Sequence, residues 1–190
     1  MSIEEYHGFH GTDISNAQKI IGKSGPNVSI SGFLNGNYRN EPGNFGYGFY
    51  TFLGDPQLAF KFAKKFHAAE NIQVCSVFCK VDENNVLDLR HEILKKQFLS
   101  YAQSNERAIV NHLKKFGKTS NKPEVLTTGI AVELFIHELR KRNYHVNVVM
   151  GESYTKERYG INLTVPNGTE MNIRNKDIIK SIERYEKEEL

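Results

Sequence analysis

Hydrophobic and polar positions alternate along the chain with two periods, one near 3.6 residues and one of 2. From Asp13 to Gly22 the apolar residues Ala17, Ile20 and Ile21 recur at helical spacing, with Asp13 or Ser15 as the cap. Asp55-Pro56 is a second helix start, a capping carboxylate followed by a proline suited to the first turn. Leu58, Ala59, Phe62, Ala63 and Phe66 then continue on a helical stripe. Ile72 to Lys80 reads as a strand with two largely apolar faces, which predicts a central strand covered on both sides. Val86 to Leu89 is a short extended piece. From His91 to about Phe116 the period is helical again, through Ile93, Leu94, Phe98, Ala102, Ile109 and Leu113. It stops at Gly117 before a loop at Ser120-Asn121-Lys122-Pro123. Gly129 to Asn143 is amphipathic and closes with Arg140-Lys141-Arg142, cations placed where a helix C-terminus favours them. Tyr144 to Met150 returns to a strand pattern. Ile161–Val165 and Thr169–Ile173 flank Pro166-Asn167-Gly168 as an expected hairpin.

Residues 22–48 interrupt this order with many Gly, Asn and Pro, which predicts a long irregular loop anchored by Ile30, Phe33, Tyr38 and Phe45. No repeat of 20–50 residues is found. Strands are dispersed among helices without regular βαβ units, so the pattern predicts an α+β fold, in one domain spanning 1–190.

Composition narrows the class. The 190 residues are 39% hydrophobic and 25% charged, which excludes a disordered tail, a collagen-like rod and a coiled coil. No apolar run approaches the ~18 residues of a membrane span, and the first residues carry neither a basic nor an apolar leader region, so a cytoplasmic protein is expected. Cys75 and Cys79 would lie about 13 Å apart on the predicted strand, too far to bridge, and are expected as buried small hydrophobes. The net charge of +3 is modest. Lys64-Lys65, Lys114-Lys115 and Arg140-Lys141-Arg142 read first as solvated helix faces.

Several chemistries are excluded by motif. GxxxxGK[ST] and GxSxG are absent, and Gly46-Tyr47-Gly48 has Thr51 where a dinucleotide fingerprint needs a third glycine. His7 and His10 have no cysteines at zinc-site spacing, so no metal is expected. Three segments remain: Tyr6-His7-Gly8-Phe9-His10-Gly11-Thr12; Gly46-Tyr47-Gly48-Phe49-Tyr50-Thr51-Phe52 with the helix that follows; and Thr169-Glu170-Met171-Asn172-Ile173-Arg174-Asn175 with Ile178.

In this order the three segments resemble the ADP-ribosyltransferase superfamily, in the branch marked by a His, a Tyr and a Glu that includes poly-ADP-ribose polymerases and diphtheria toxin. The chain looks most like compact bacterial and phage members, over about residues 6 to 182. The resemblance implies split antiparallel or mixed sheets flanked by helices around an NAD cleft. It implies that His10 bonds the adenine-side ribose and that Gly11, in the His10-Gly11-Thr12 motif, offers its backbone to the nicotinamide carboxamide. Tyr50 matches the tyrosine stacked on the nicotinamide ring, a cation over a π face, and Phe62 is the candidate for a second aromatic. Glu170 matches the catalytic carboxylate that stabilises the developing positive charge as the ribose–nicotinamide bond breaks. Pattern alone leaves Glu152 and Glu157 open for that role. The segment His91–Phe116 reads as an insertion or cover, and loop 22–48 as the variable region over the donor site.

The function implied is mono-ADP-ribosyl transfer from NAD to a macromolecule by a toxin, effector or defence enzyme, with an antitoxin or inhibitor protein as a possible partner. A protein acceptor is placed ahead of RNA or DNA, because the charge is modest and no aromatic-interleaved basic stripe for stacking bases is evident. An NAD glycohydrolase and a catalytically silent NAD- or ADP-ribose-binding module are the alternatives. Read without the resemblance, His10 is a satisfied core imidazole, Tyr50 a packed aromatic and Glu170 a solvent-facing residue beside a turn.

Overall fold

Aspartates start the first two helices. A computed structural model describes residues 2–22, 25–30, 38, 40–116, 123–154 and 165–186. Asp13 accepts the Asn16 amide and caps α1 (Ile14–Ile21); Asp55 accepts the Leu58 amide and caps α2 (Pro56–Ala63), with Pro56 in the first turn. The later helices are α3 (Glu92–Ser104), α4 (Glu106–Lys115) and α5 (Pro123–Lys141).

Seven strands complete the described fold: β1 (Ile3–Asp13), β2 (Phe49–Leu53), β3 (Ile72–Asp82), β4 (Val86–Asp88), β5 (Val148–Ser153), β6 (Gly168–Ile173) and β7 (Ile179–Arg184). They form one mixed sheet in the order β4-β5-β6-β2-β1-β3-β7, antiparallel at every junction except β4–β5. The architecture is α+β.

Both faces of the sheet are apolar, with different covers. On one face Cys75, Val77 and Cys79 of β3 join Met150, Met171 and Ile173 beneath Ala17 and Ile20 of α1. On the other, Leu126, Ile130 and Phe135 of α5 pack on Val149 together with Phe98 of α3 and Ile109 of α4. Leu58 and Ala59 of α2 cover Phe9, Phe52 and Val74 on that same side. Each fully buried side chain of this kind contributes roughly 1.5–3 kcal/mol. Both cysteines are free and buried, and burial pushes their thiols up to about 11. Among the described residues no helix is long and apolar enough to cross a membrane.

Several local expectations change. The single helical run over His91–Phe116 is two helices that meet at Asn105, which leaves the helical conformation (φ −115°, ψ 19°) while its backbone amide, at 3.0 Å, and its side-chain amide, at 2.8 Å, both donate to the Tyr101 carbonyl. The helix expected from Gly129 begins at Pro123, a residue suited to a first turn. Gly117 to Lys122, like Phe33 of the long loop, lie outside the described residues. β5 starts at Val148 instead of Tyr144, because Asn143 takes a left-handed conformation (φ 63°) and the Tyr144 amide closes onto the Leu139 carbonyl at the end of α5. β3 is interior but fully covered on one face only, since Lys80 and much of Phe78 face solvent beyond α2. Of the expected hairpin, only Val165, the turn and the second arm are described. From Glu170 to Ile173, β6 has β2 on one edge and β5 on the other, and residues 161–164 lie outside the described residues.

Candidate active site

The sheet parts at its middle. β1 and β2 pair at Gly8–Leu53 and Phe9–Phe52 and no further. The Gly54 amide donates to the His7 carbonyl at 2.9 Å, so odd residues of β1 turn their backbone groups toward β2. The rung after Phe9–Phe52 would join Gly11 to Tyr50. Instead His10 Nδ1 donates to the Tyr50 carbonyl at 2.8 Å. A side chain replaces a ladder bond, the strands diverge, and the backbone edge of Gly11 faces the gap.

A cavity of about 370 Å³ opens at this split, between the end of α2 and the start of α5. That volume lies within the ~300–1,000 Å³ of small-ligand sites. Its lining includes His10, Gly11, Tyr50, Phe62 and Glu170, which the structure therefore brings together from four separate elements, with Lys65, Asn44 and Tyr154 added. Thr12 is not part of it: that residue is buried, and its hydroxyl accepts from Asn16 Nδ2 at 2.9 Å, tying β1 to α1.

Each lining residue has a local cause. A Cβ on Gly11 would stand 2.2 Å from the Ala59 carbonyl oxygen, so the glycine is required by the contact of α2 with β1. The missing side chain serves packing, while the backbone edge serves the gap. His10 is half-buried against Phe49, with ring centroids 4.6 Å apart. Burial lowers its pKa, only partly offset by the bond to the Tyr50 carbonyl, so the ring is neutral at pH 7. With the proton on Nδ1, Nε2 is an acceptor. Tyr50 is locked at its far end: its hydroxyl donates to the Gly46 carbonyl at 2.6 Å and accepts the Phe45 amide at 3.0 Å, and burial pushes the phenol well above its ordinary pKa.

Glu170 sits opposite Phe52 on one side and Gly151 on the other. It accepts from the Ser153 hydroxyl at 2.6 Å. Burial raises its pKa, while the Ser153 hydrogen bond and the charge of Lys65 pull it back. Glu152 pairs with Thr169 and is exposed on the opposite face of the sheet, and Glu157 lies outside the described residues. Of the two described candidates, Glu170 is the carboxylate that lines the cavity.

No protein-family model, curated protein or solved structure matches the chain. The site is read from its own geometry.

That geometry rests on a second carboxylate that the sequence pattern did not single out. Glu133 of α5 is 3% exposed and forms a two-pronged ion pair with Arg174 just beyond β6. Glu133 also accepts the Tyr47 amide at 2.7 Å, and Arg174 donates to the Tyr47 carbonyl at 2.7 Å. The turn that ends at the Tyr50 hydroxyl is thus clamped from two sides. Gly46 has φ 81°, and a Cβ there would collide with the Glu133 carboxylate. Asn172 adds a third hold, donating to the Phe45 carbonyl at 2.6 Å. A charged residue inside the otherwise apolar stripe Ile130–Phe135 was the available signal for Glu133. Ser153 had none.

A larger depression of about 930 Å³ lies against α3 and α5. The Glu138 carboxylate on its wall, which Tyr101 and Phe135 also line, is spanned by Arg142 and Lys141 in a surface ion-pair cluster, whereas Glu170 is held by the Ser153 hydroxyl. The smaller cavity brings together a flat aromatic wall, a strand edge, a neutral imidazole acceptor and a partly desolvated carboxylate.

Proposed function

We propose that this protein is an NAD-dependent ADP-ribosyltransferase of the His-Tyr-Glu type, and that its parted sheet is the split of that fold. The observation that carries the reading is the meeting of Glu170 with Gly11 and Tyr50 at the gap between β1 and β2. A nicotinamide is a flat cationic ring bearing an amide. Tyr50 offers the ring a π face, the Gly11 edge offers the amide a donor and an acceptor, and His10 Nε2 accepts from a ribose hydroxyl.

In the reaction the bond from ribose C1′ to the nicotinamide nitrogen breaks, and its electron pair leaves with nicotinamide. Glu170, ionised, faces the positive charge that develops on the ribose. A lone pair of the acceptor forms the new bond to C1′, and the acceptor's proton passes to Glu170 or to solvent. Ser153 and Lys65 support the ionised form of Glu170 against its burial. With water as acceptor, the same steps give NAD hydrolysis.

Incubation of the purified protein with NAD labelled in its adenylate half tests this. Nicotinamide should be released, and Glu170→Gln should slow release by about 10²–10³-fold, the usual loss of one preorganised electrostatic stabiliser. Label in a macromolecule identifies the transferase, and label only in free ADP-ribose identifies the hydrolase. An absence of NAD binding by calorimetry at millimolar ligand would sink both.

A further inference from the structure

The rim of the cavity carries a side-chain pattern that NAD cleavage itself does not use. Residues 60–67 run Phe-Lys-Phe-Ala-Lys-Lys-Phe-His, across the end of α2 and just beyond it. Phe62 and Lys65 line the cavity. Lys65 Nζ lies 4.9 Å from the Phe62 ring centroid, and Lys64 Nζ lies 5.8 Å from that of Phe60. Phe66 follows Phe62 at a centroid distance of 5.6 Å and is 63% exposed. Phe66 also lines a neighbouring groove with Ser15, Gln18, His67 and Asn71. That groove's carboxylate, Asp13, is engaged in capping α1. A row of aromatic rings flanked by cations therefore leads from open surface to the wall facing Glu170.

We infer that this rim is a docking platform for single-stranded nucleic acid, which it presents to the Glu170 cavity as the acceptor. The acceptor role rests on the proposed ADP-ribosyl transfer; the docking does not. A phenyl ring two-thirds exposed is a stacking surface for any base, and Lys61, Lys64 and Lys65 supply the positive charge that a phosphate backbone seeks. The modest overall charge is no obstacle, because the cations are concentrated at the mouth of the site, and the end of α2 supplies the aromatic-interleaved basic stripe whose lack had set a protein acceptor first. A duplex hides its base faces in its own stack and cannot use Phe66, which selects single strands. In the transfer step the nucleophile is a nucleotide group: its lone pair bonds C1′, the bond to nicotinamide breaks, and its proton passes to Glu170.

The test uses the Glu170→Gln protein and fluorescein-labelled single-stranded 12-mers of DNA and of RNA, followed by anisotropy. Binding with Kd of about 10⁻⁴–10⁻⁶ M is expected, weakening as salt rises. Phe66→Ala should weaken it by about 5–100-fold. Lys61→Ala/Lys64→Ala should lower the log–log salt slope by about 0.7 for each phosphate no longer neutralised. All three residues are exposed, and unchanged melting of both variants guards against misfolding as the cause. Absence of binding, variants that bind like their parent, or a duplex that competes as well as the single strand would each overturn the platform. So would transfer of label from NAD by the wild-type protein into protein with none into the oligonucleotide. Nicotinamide release by the wild type is measured alongside. Release without oligonucleotide binding overturns the platform and leaves the transferase reading; binding without release does the reverse.

Discussion

Two glutamates, Glu133 buried and Glu170 half-buried, are used in opposite ways. Glu133 has a guanidinium across both oxygens and a backbone amide besides, so its charge is neutralised and its hydrogen bonds are met. Glu170 has the neutral hydroxyl of Ser153 and the more distant charge of Lys65. The first holds a turn in place and is spent on structure. The second is left with unmet demand for positive charge, which suits a group that must respond to a cation forming in front of it.

The sharpest way to break this contrast is Arg174→Ala. It leaves Glu133 buried without its partner and frees the Tyr47 turn, so urea unfolding should report a loss of about 3–5 kcal/mol. Glu170→Gln should do nothing of the sort. It removes a charge that folding buries at a cost, so the variant should unfold at the same urea concentration or higher, with a gain of up to about 0.5–2 kcal/mol, while nicotinamide release collapses. Equal destabilisation by the two replacements would mean that Glu170 is structural like Glu133.

Ser153→Ala has a smaller expected effect. Without the hydroxyl, burial raises the Glu170 pKa further, so the acid limb of kcat/KM should move to higher pH. The missing hydrogen bond corresponds to about 0.5–1.5 kcal/mol in the barrier at neutral pH. An unmoved acid limb would show that Glu170 does not set it. The smallest signal lies in stability against pH. A carboxyl whose pKa is raised by folding contributes stability fully below its unfolded value, near about 4.3, and loses that contribution as pH rises through the folded value. The advantage of Glu170→Gln over the wild type should therefore grow with pH across the carboxylate range and vanish in acid.

Much of the scaffold was legible because its signals are local. Asp13 and Asp55-Pro56 mark helix starts through caps made within three residues, and β3 announces itself by its β-branched and aromatic run. The association of His10, Tyr50 and Glu170 was legible only through a motif order, since nothing in periodicity joins residues so far apart. What escaped depends on partners distant in sequence. Ser153 acquires its role from the register that sets Gly151 against Glu170. The local turn signal at Asn167-Gly168 does not encode that β6 has β2 and β5, both distant in sequence, along its two edges from Glu170 to Ile173. The break at Asn105 turns on one residue leaving the helical conformation, with its side chain bonded to the Tyr101 carbonyl, which the apolar spacing around it does not encode.

The imidazole of His10 also makes the cleft conditional. Its Nδ1–H occupies the carbonyl that the next rung of the β1–β2 ladder would claim. Removing the ring, as in His10→Ala, returns that carbonyl to Gly11 and invites the two strands to zip by one more pair, narrowing the opening from within. The Gly11 amide then becomes a reporter: slow hydrogen exchange in the variant, against fast exchange in the wild type, would register a door closing. Weaker ligand binding by the same protein would reflect a change of shape before it reflected the absence of the imidazole itself.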